Sequence, residues 1–305
     1  MSHTPRKRIA ICCHGFLGET GMLKEIEATL TEDPFNQIYD EVANISYYSS
    51  KYGLNFTQPF DIKTPIYDET TKQTLAHNFR KQIAQIIKAY DEEVFLDIYA
   101  HSMGGLVTRS MVKYLSKKKS TGVWIKNGVI KNIFLLGTPN HGTRLAQRAI
   151  NIPADIIITG LNLLLELPDG ITSEDLQILN SQFMQMVPNS SFLKQLNKPS
   201  KETEKSINWV TVRGLQWIRQ LGWFPVVWQP FLFRKFRIDH RFPFLHIGVI
   251  PNDGLVDAHR VPLKYATNLT VPSATHMDLL NWKTKKSGQQ VLKLLKSIIQ
   301  TDVEI

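Results

Sequence analysis

Residues 94–107 read Val-Phe-Leu-Asp-Ile-Tyr-Ala-His-Ser-Met-Gly-Gly-Leu-Val, and this string narrows the possible folds more than any other part of the chain. The apolar run reads as a strand ending at Ala100, Ser102 falls at a tight corner, and Gly104-Gly105 opens a helix. A strand that turns this sharply into a helix lifts the serine hydroxyl above the sheet edge, the arrangement of a nucleophile elbow. Strand and helix backbones cross closely there, so the positions two before and two after the serine must be small. Ala100 fills the first of these where glycine is usual, and a methyl group still fits. The string also suits a serine that merely caps a helix beginning near Met103, or a nucleotide-binding turn. The rest of the chain has to separate those readings.

Strand-like and helix-like segments alternate along the sequence. Ile9–Cys13 reads as a buried strand, Met22–Leu30 as an amphipathic helix and Val42–Tyr47 as a second strand. Leu75–Tyr90 carries apolar residues at helical spacing, at Leu75, Phe79, Ile83, Ile86 and Ile87. Val94–Tyr99 precedes the elbow, whose helix is expected over Met103–Ser116. Further strands are expected at Val129–Leu136, Trp209–Val212 and Leu269–Val271, and a closing helix at Lys283–Gln300. Such alternation predicts an α/β fold: a mostly parallel sheet with helices on both faces. The 305 residues fit one such domain, with a cap insertion at about 143–205 and an aromatic-basic insertion at about 215–247.

The composition is that of an ordinary globular chain, with 43% hydrophobic and 21% charged residues, and no apolar run reaches the roughly 18 residues of a membrane span. Arg6-Lys7-Arg8 before the first strand lacks the long apolar region and cleavage site of a signal peptide. The two cysteines, Cys12 and Cys13, are adjacent on one strand and point to opposite faces, so they cannot form an ordinary disulfide with each other. These features imply a reducing, cytoplasmic compartment.

The net charge of +9 is unevenly spread. Between Leu215 and Ile247, Arg219, Arg234, Lys235, Arg237 and Arg241 face only Asp239, an excess of four positive charges. Trp217, Trp223, Phe224, Trp228, Phe231, Phe233, Phe236, Phe242 and Phe244 lie among them. Rings between cations suit peripheral contact with an anionic membrane surface, with Trp223, Phe224, Trp228, Phe233, Arg234, Lys235 and Arg237 as the contact candidates. An ordinary cap with inward aromatics and solvated arginines is the other reading. Nucleic acid is not an expected partner, because no recognition motif for it is present.

A serine nucleophile needs donors for the oxyanion, a base, and a carboxylate to orient the base. Met103, directly after the serine, supplies one backbone N–H. The loop after the first strand, Cys13-His14-Gly15-Phe16-Leu17-Gly18, supplies the other from Phe16. Nucleophile elbows are followed along the chain by the acid and then the histidine. Of the nine histidines, five follow the elbow: His141, His240, His246, His259 and His276. His276, past the last strand and before the closing helix, stands where the base belongs. His141 comes early and is assigned to the pocket rim with His14, Gly15 and His101. For the acid, Asp253 before Gly254 suits a sharp turn at the carboxyl edge of the sheet, with Asp257 as the alternative.

The order of His14-Gly15-Phe16, Ala100-His101-Ser102-Met103-Gly104-Gly105, Asp253-Gly254-Leu255-Val256 and His276-Met277-Asp278 resembles the α/β-hydrolase superfamily. More narrowly, it is similar to bacterial triacylglycerol lipases and to lipase-like serine esterases that include the GPI inositol-deacylases. Gly137-Thr138-Pro139-Asn140-His141-Gly142-Thr143 resembles a segment those families carry after the strand following the elbow. Met186-Val187-Pro188-Asn189-Ser190-Ser191-Phe192-Leu193, with Leu196-Asn197, resembles their cap-region signature.

The resemblance implies Ser102 as nucleophile, Asp253 as acid, His276 as base, and Phe16 and Met103 as oxyanion donors. Some of those lipases hold a structural calcium through an aspartate matching Asp278. The glutamine they use four positions later is Trp282 here, so no cofactor is expected and Asp278 is read as a helix cap. The expected activity is hydrolysis of lipid or other hydrophobic acyl esters. The alternatives are a soluble small-substrate esterase or thioesterase, and a non-catalytic hydrolase fold that binds lipid or protein.

Overall fold

The computed structural model describes residues 6–16, 18–48, 64–90, 93–115, 128–149, 180–199, 206–216 and 251–301. Among these residues six strands form one sheet: β1 (Lys7–Cys13), β2 (Glu41–Ile45), β3 (Val94–His101), β4 (Ile130–Leu136), β5 (Asn208–Leu215) and β6 (Thr267–Pro272). Their order is β2-β1-β3-β4-β5-β6, and every neighbouring pair is parallel. The helices are α1 (Lys24–Leu30), α2 (Leu75–Lys88), α3 (Met103–Ser110), α4 (Arg144–Ala149), α5 (Asn180–Met186), α6 (Ser191–Leu196) and α7 (Lys286–Thr301).

Parallel strands have both faces covered, so their side chains must be apolar in succession rather than in alternation. Ile9 to Cys13 and Ile133 to Leu136 are accordingly buried at every position. The step from β1 to β2 runs one way along the sheet, and the later steps run the other way. Right-handed crossovers then place the two sets of helices on opposite faces. On one face Ile26 and Leu30 of α1 and Val291, Leu295 and Ile299 of α7 pack with Ala10 and Cys12. On the other, Phe79 and Ile83 of α2 and Leu106 and Val107 of α3 pack with Ile9, Ile11 and Cys13. The two cysteines lie in different clusters, both as free, buried thiols.

Several boundaries differ from the sequence pattern, each for a tertiary reason. The elbow helix is α-helical only to Ser110; Met111–Leu115 winds as one wider, π-helical turn from which Lys113 donates to the carbonyls of Gln195 and Leu196, both at 2.8 Å. The closing helix begins at Lys286 rather than Lys283. The N–H groups of Lys283 and Thr284 instead donate to the Glu25 carboxylate of α1. β2 ends at Ile45, because Tyr47 and Tyr48 turn inward beneath His14.

The order reverses between β1 and β3, which leaves a crevice at their carboxyl ends where the flanking helices diverge. Of residues 143–205, read from the sequence as a cap insertion, α4, α5 and α6 are described. Trp223, Phe224, Trp228, Phe233, Arg234, Lys235 and Arg237, with His240 and His246, lie outside the described residues. No helix among the described residues is long and apolar enough to cross a membrane.

Candidate active site

Because all six strands are parallel, their carboxyl ends share one edge, and the loops leaving that edge carry the site. Ser102 follows β3 and adopts φ 52° and ψ −126°, a conformation rarely open to an L residue. Its N–H donates to Leu136 O at 2.8 Å and its carbonyl accepts from Gly105 at 3.1 Å, so neighbouring backbone holds the turn. Gly104 faces the loop after β1 so closely that a Cβ there would lie 2.2 Å from His14 O. That contact is the physical reason for a glycine two positions after the serine. Ala100, the unusual small residue before it, is fully buried without such a conflict.

His276 and Asp253 meet from separate loops. His276 Nδ1 donates to Asp253 Oδ2 at 2.7 Å, and the His276 N–H donates to the Asp253 carbonyl at 2.8 Å. The other carboxylate oxygen, Oδ1, accepts the N–H groups of Leu255 at 3.0 Å and Val256 at 2.8 Å. Asp253 thus has its lone pairs engaged on one side and the imidazole fixed on the other. Asp257, the alternative acid, is committed elsewhere: its Oδ2 lies 3.0 Å from Arg260 Nε and 3.5 Å from Arg144 Nε. Gly137 makes room for the ring, since its φ is 61° and a Cβ would come 3.0 Å from His276 Cε1.

With Nδ1 of His276 engaged by Asp253, the opposite ring nitrogen, Nε2, is left for other partners. That atom is buried and carries no hydrogen bond, Ser102 Oγ included. Both residues line one pocket, whose walls include Phe16, Met22, Leu145, Phe183, Met186 and Leu255. The Phe16 and Phe183 rings, both in its wall, pack together with centroids 4.8 Å apart. Catalytic hydrogen bonds commonly tighten only when substrate fills such a site.

The remaining site residues sort unevenly. Gly15 and His101 line the pocket. His101 is buried, with Nε2 donating to the His276 carbonyl at 3.2 Å; burial, with His276 close by, holds its pKa well below the ordinary value. His14 and His141 do not line it, which corrects their assignment to the rim. His14 is fully buried, and burial pulls its pKa down to about 4. His141 is exposed, and its Nε2 lies 3.0 Å from Pro262 O, where it ties the 258–263 segment to the loop after β4. Met103 is the first residue of α3, so its N–H has no acceptor within the helix.

Asp278 caps its own turn: its Oδ2 accepts the Thr275 N–H, and Thr275 Oγ accepts the Asp278 N–H, both at 3.0 Å. Among the described residues no group of three or more His, Cys, Asp or Glu side chains converges on a metal position. The segment from Met186 to Asn197 is bonded to the loop after β4. The Thr143 N–H donates to Met186 O at 3.0 Å, and Asn197 Nδ2 donates to Asn140 O at 2.9 Å.

The sheet order, the serine turn and the loops at one edge define the α/β-hydrolase fold. Solved structures bear this out. The mature lipase BlEst2 of Bacillus licheniformis superposes with a TM-score of 0.55 at 16% identity, over 97% of this chain and 93% of that one. Phospholipase PlaB of Legionella pneumophila gives 0.56 at 14% identity, over 97% of this chain and 64% of that one. A family model described as a domain of unknown function, DUF7379, matches residues 66–215, which include Ser102 but not Phe16, Asp253 or His276. No curated protein matches by sequence.

Proposed function

We propose that the chain is a serine hydrolase that cleaves carboxylic esters of hydrophobic acyl groups, lipids among them. The observation that carries this reading is the His276–Asp253 pair opening onto the same apolar pocket as the strained Ser102. In the proposed reaction Ser102 Oγ attacks the ester carbonyl while its proton passes to His276 Nε2. Asp253 stabilises the imidazolium that forms. The carbonyl oxygen, now negative, accepts from the N–H groups of Phe16 and Met103. Collapse expels the alcohol, which takes the proton back from His276 and leaves an acyl-serine. Water then repeats the sequence, releasing the acid and restoring Ser102.

A hydrophobic acyl group is favoured by the pocket walls, which are apolar apart from His101, Ser102, Thr143 and His276. The lipase and the phospholipase that share the fold point the same way. The test is labelling by a fluorophosphonate together with hydrolysis of p-nitrophenyl esters. Ser102→Ala should lose the label and lower kcat by roughly 10³-fold or more. Retained turnover would refute the assignment. A steep rise in rate when the ester forms micelles separates a lipase from a soluble esterase.

A further inference from the structure

We propose that Tyr47 is a positioning residue, which with His14 holds the Gly15–Phe16 peptide so that the Phe16 N–H faces the reacting oxygen. The proposal rests on the hydrolase reading above. The Gly15 carbonyl accepts three hydrogen bonds: from Tyr47 Oη at 2.5 Å, His14 Nδ1 at 2.8 Å and the Gly18 N–H at 3.2 Å. In a planar trans peptide the C=O of one residue and the N–H of the next point in opposite directions. Three donors that draw the Gly15 oxygen into the protein therefore turn the Phe16 N–H outward. Gly15 and Phe16 both line the pocket beside Ser102, so outward here is toward the ester.

The donors are themselves held. The Gly15 carbonyl can only accept, which assigns the His14 proton to Nδ1; His14 Nε2 then accepts from Ser46 Oγ at 2.8 Å, and the same Ser46 oxygen accepts the Tyr48 N–H at 3.2 Å. Asn78 and Gln82 of α2 donate to the carbonyls of Tyr47 and Ser46, at 2.7 and 2.5 Å. The Tyr47 ring packs against His14 with centroids 4.3 Å apart and is fully buried. A rigid helix thus reaches the oxyanion donor through one phenol. Without these bonds the glycine peptide is free to rotate, since Gly15 has no Cβ to restrict it.

Tyr47→Phe keeps the ring and its packing and removes only the hydroxyl. With p-nitrophenyl butyrate, kcat should fall about tenfold, less than the loss of a whole oxyanion donor, while KM stays within about twofold. Inhibition by an alkyl trifluoromethyl ketone, which forms a tetrahedral adduct on the serine, should weaken by the same factor as kcat/KM. A folded Tyr47→Phe protein with parental kcat and ketone affinity overturns the proposal, as does a rise in KM alone. If the parent neither hydrolyses esters nor reacts with a fluorophosphonate, it is the hydrolase reading that fails. The positioning claim is then decided by a crystal structure of Tyr47→Phe: a reoriented Gly15–Phe16 peptide supports it, and an unchanged one overturns it.

Discussion

Ser102 is the most strained residue of the site, and its φ of 52° costs about 1–3 kcal/mol. The elbow tolerates that cost because it places the hydroxyl where strand, helix and pocket meet. This feature was legible in the sequence, since Gly104-Gly105 after an apolar strand is a local signal. The burial of His14 was not. Its pKa of about 4 lies below the ordinary 6.5, so the folded chain binds a proton less readily there than the unfolded chain does. The stability this contributes is complete above about pH 6.5 and drains away as the pH falls toward 4. The slope is about 1.4 kcal/mol per pH unit over that window. Urea denaturation between pH 7 and 4.5 should show it, and His14→Asn should flatten the parent's slope by about that amount. An unaltered slope would mean that His14 is not held neutral. His101, lowered by its own burial, adds to the parent's acid sensitivity in the same direction.

Among the elements, α3 crosses closely over the end of β1. A Cβ at position 104 would also meet Cys13 Sγ at 3.0 Å and Cys13 O at 3.1 Å, so no single side chain can yield to relieve it. Gly104→Ala must push α3 away from the β1 loop and carry Met103 and Ser102 off their positions. Displacements near 1 Å cost roughly 10²-fold in rate, so kcat/KM should drop at least that far. Ester assays with circular dichroism check this; parental activity would mean the crossing is looser than it looks. Strand and helix types were readable from periodicity, as α2 illustrates with Leu75, Phe79 and Ile83 buried along one face. Their ends were not, because partners distant in sequence set them. Glu25 claims the N–H groups of Lys283 and Thr284, and the ring packing of His14 draws Tyr47 and Tyr48 out of line with β2.

For the molecule as a whole, the net charge of +9 and the stretch between Leu215 and Ile247 carry the expectation of an anionic surface as partner. Each basic residue near an anionic surface contributes about 1 kcal/mol, so neutralising Arg234, Lys235 and Arg237 together should weaken vesicle binding roughly 10²-fold. Sedimentation with phosphatidylserine vesicles should show that loss, and added salt should mimic it. Binding indifferent to both would leave the stretch as an ordinary cap. Sequence alone determined the class of architecture and the corner at Ser102, because each is written in neighbouring residues. The tertiary structure decided that Asp253 rather than Asp257 meets His276, since the choice depends on which carboxylate the arginines occupy. It also placed His14 and Tyr47 behind the Phe16 peptide. Tyr47 stands 32 positions from Gly15, and only parallel strands that bring distant loops to one edge let it reach that carbonyl.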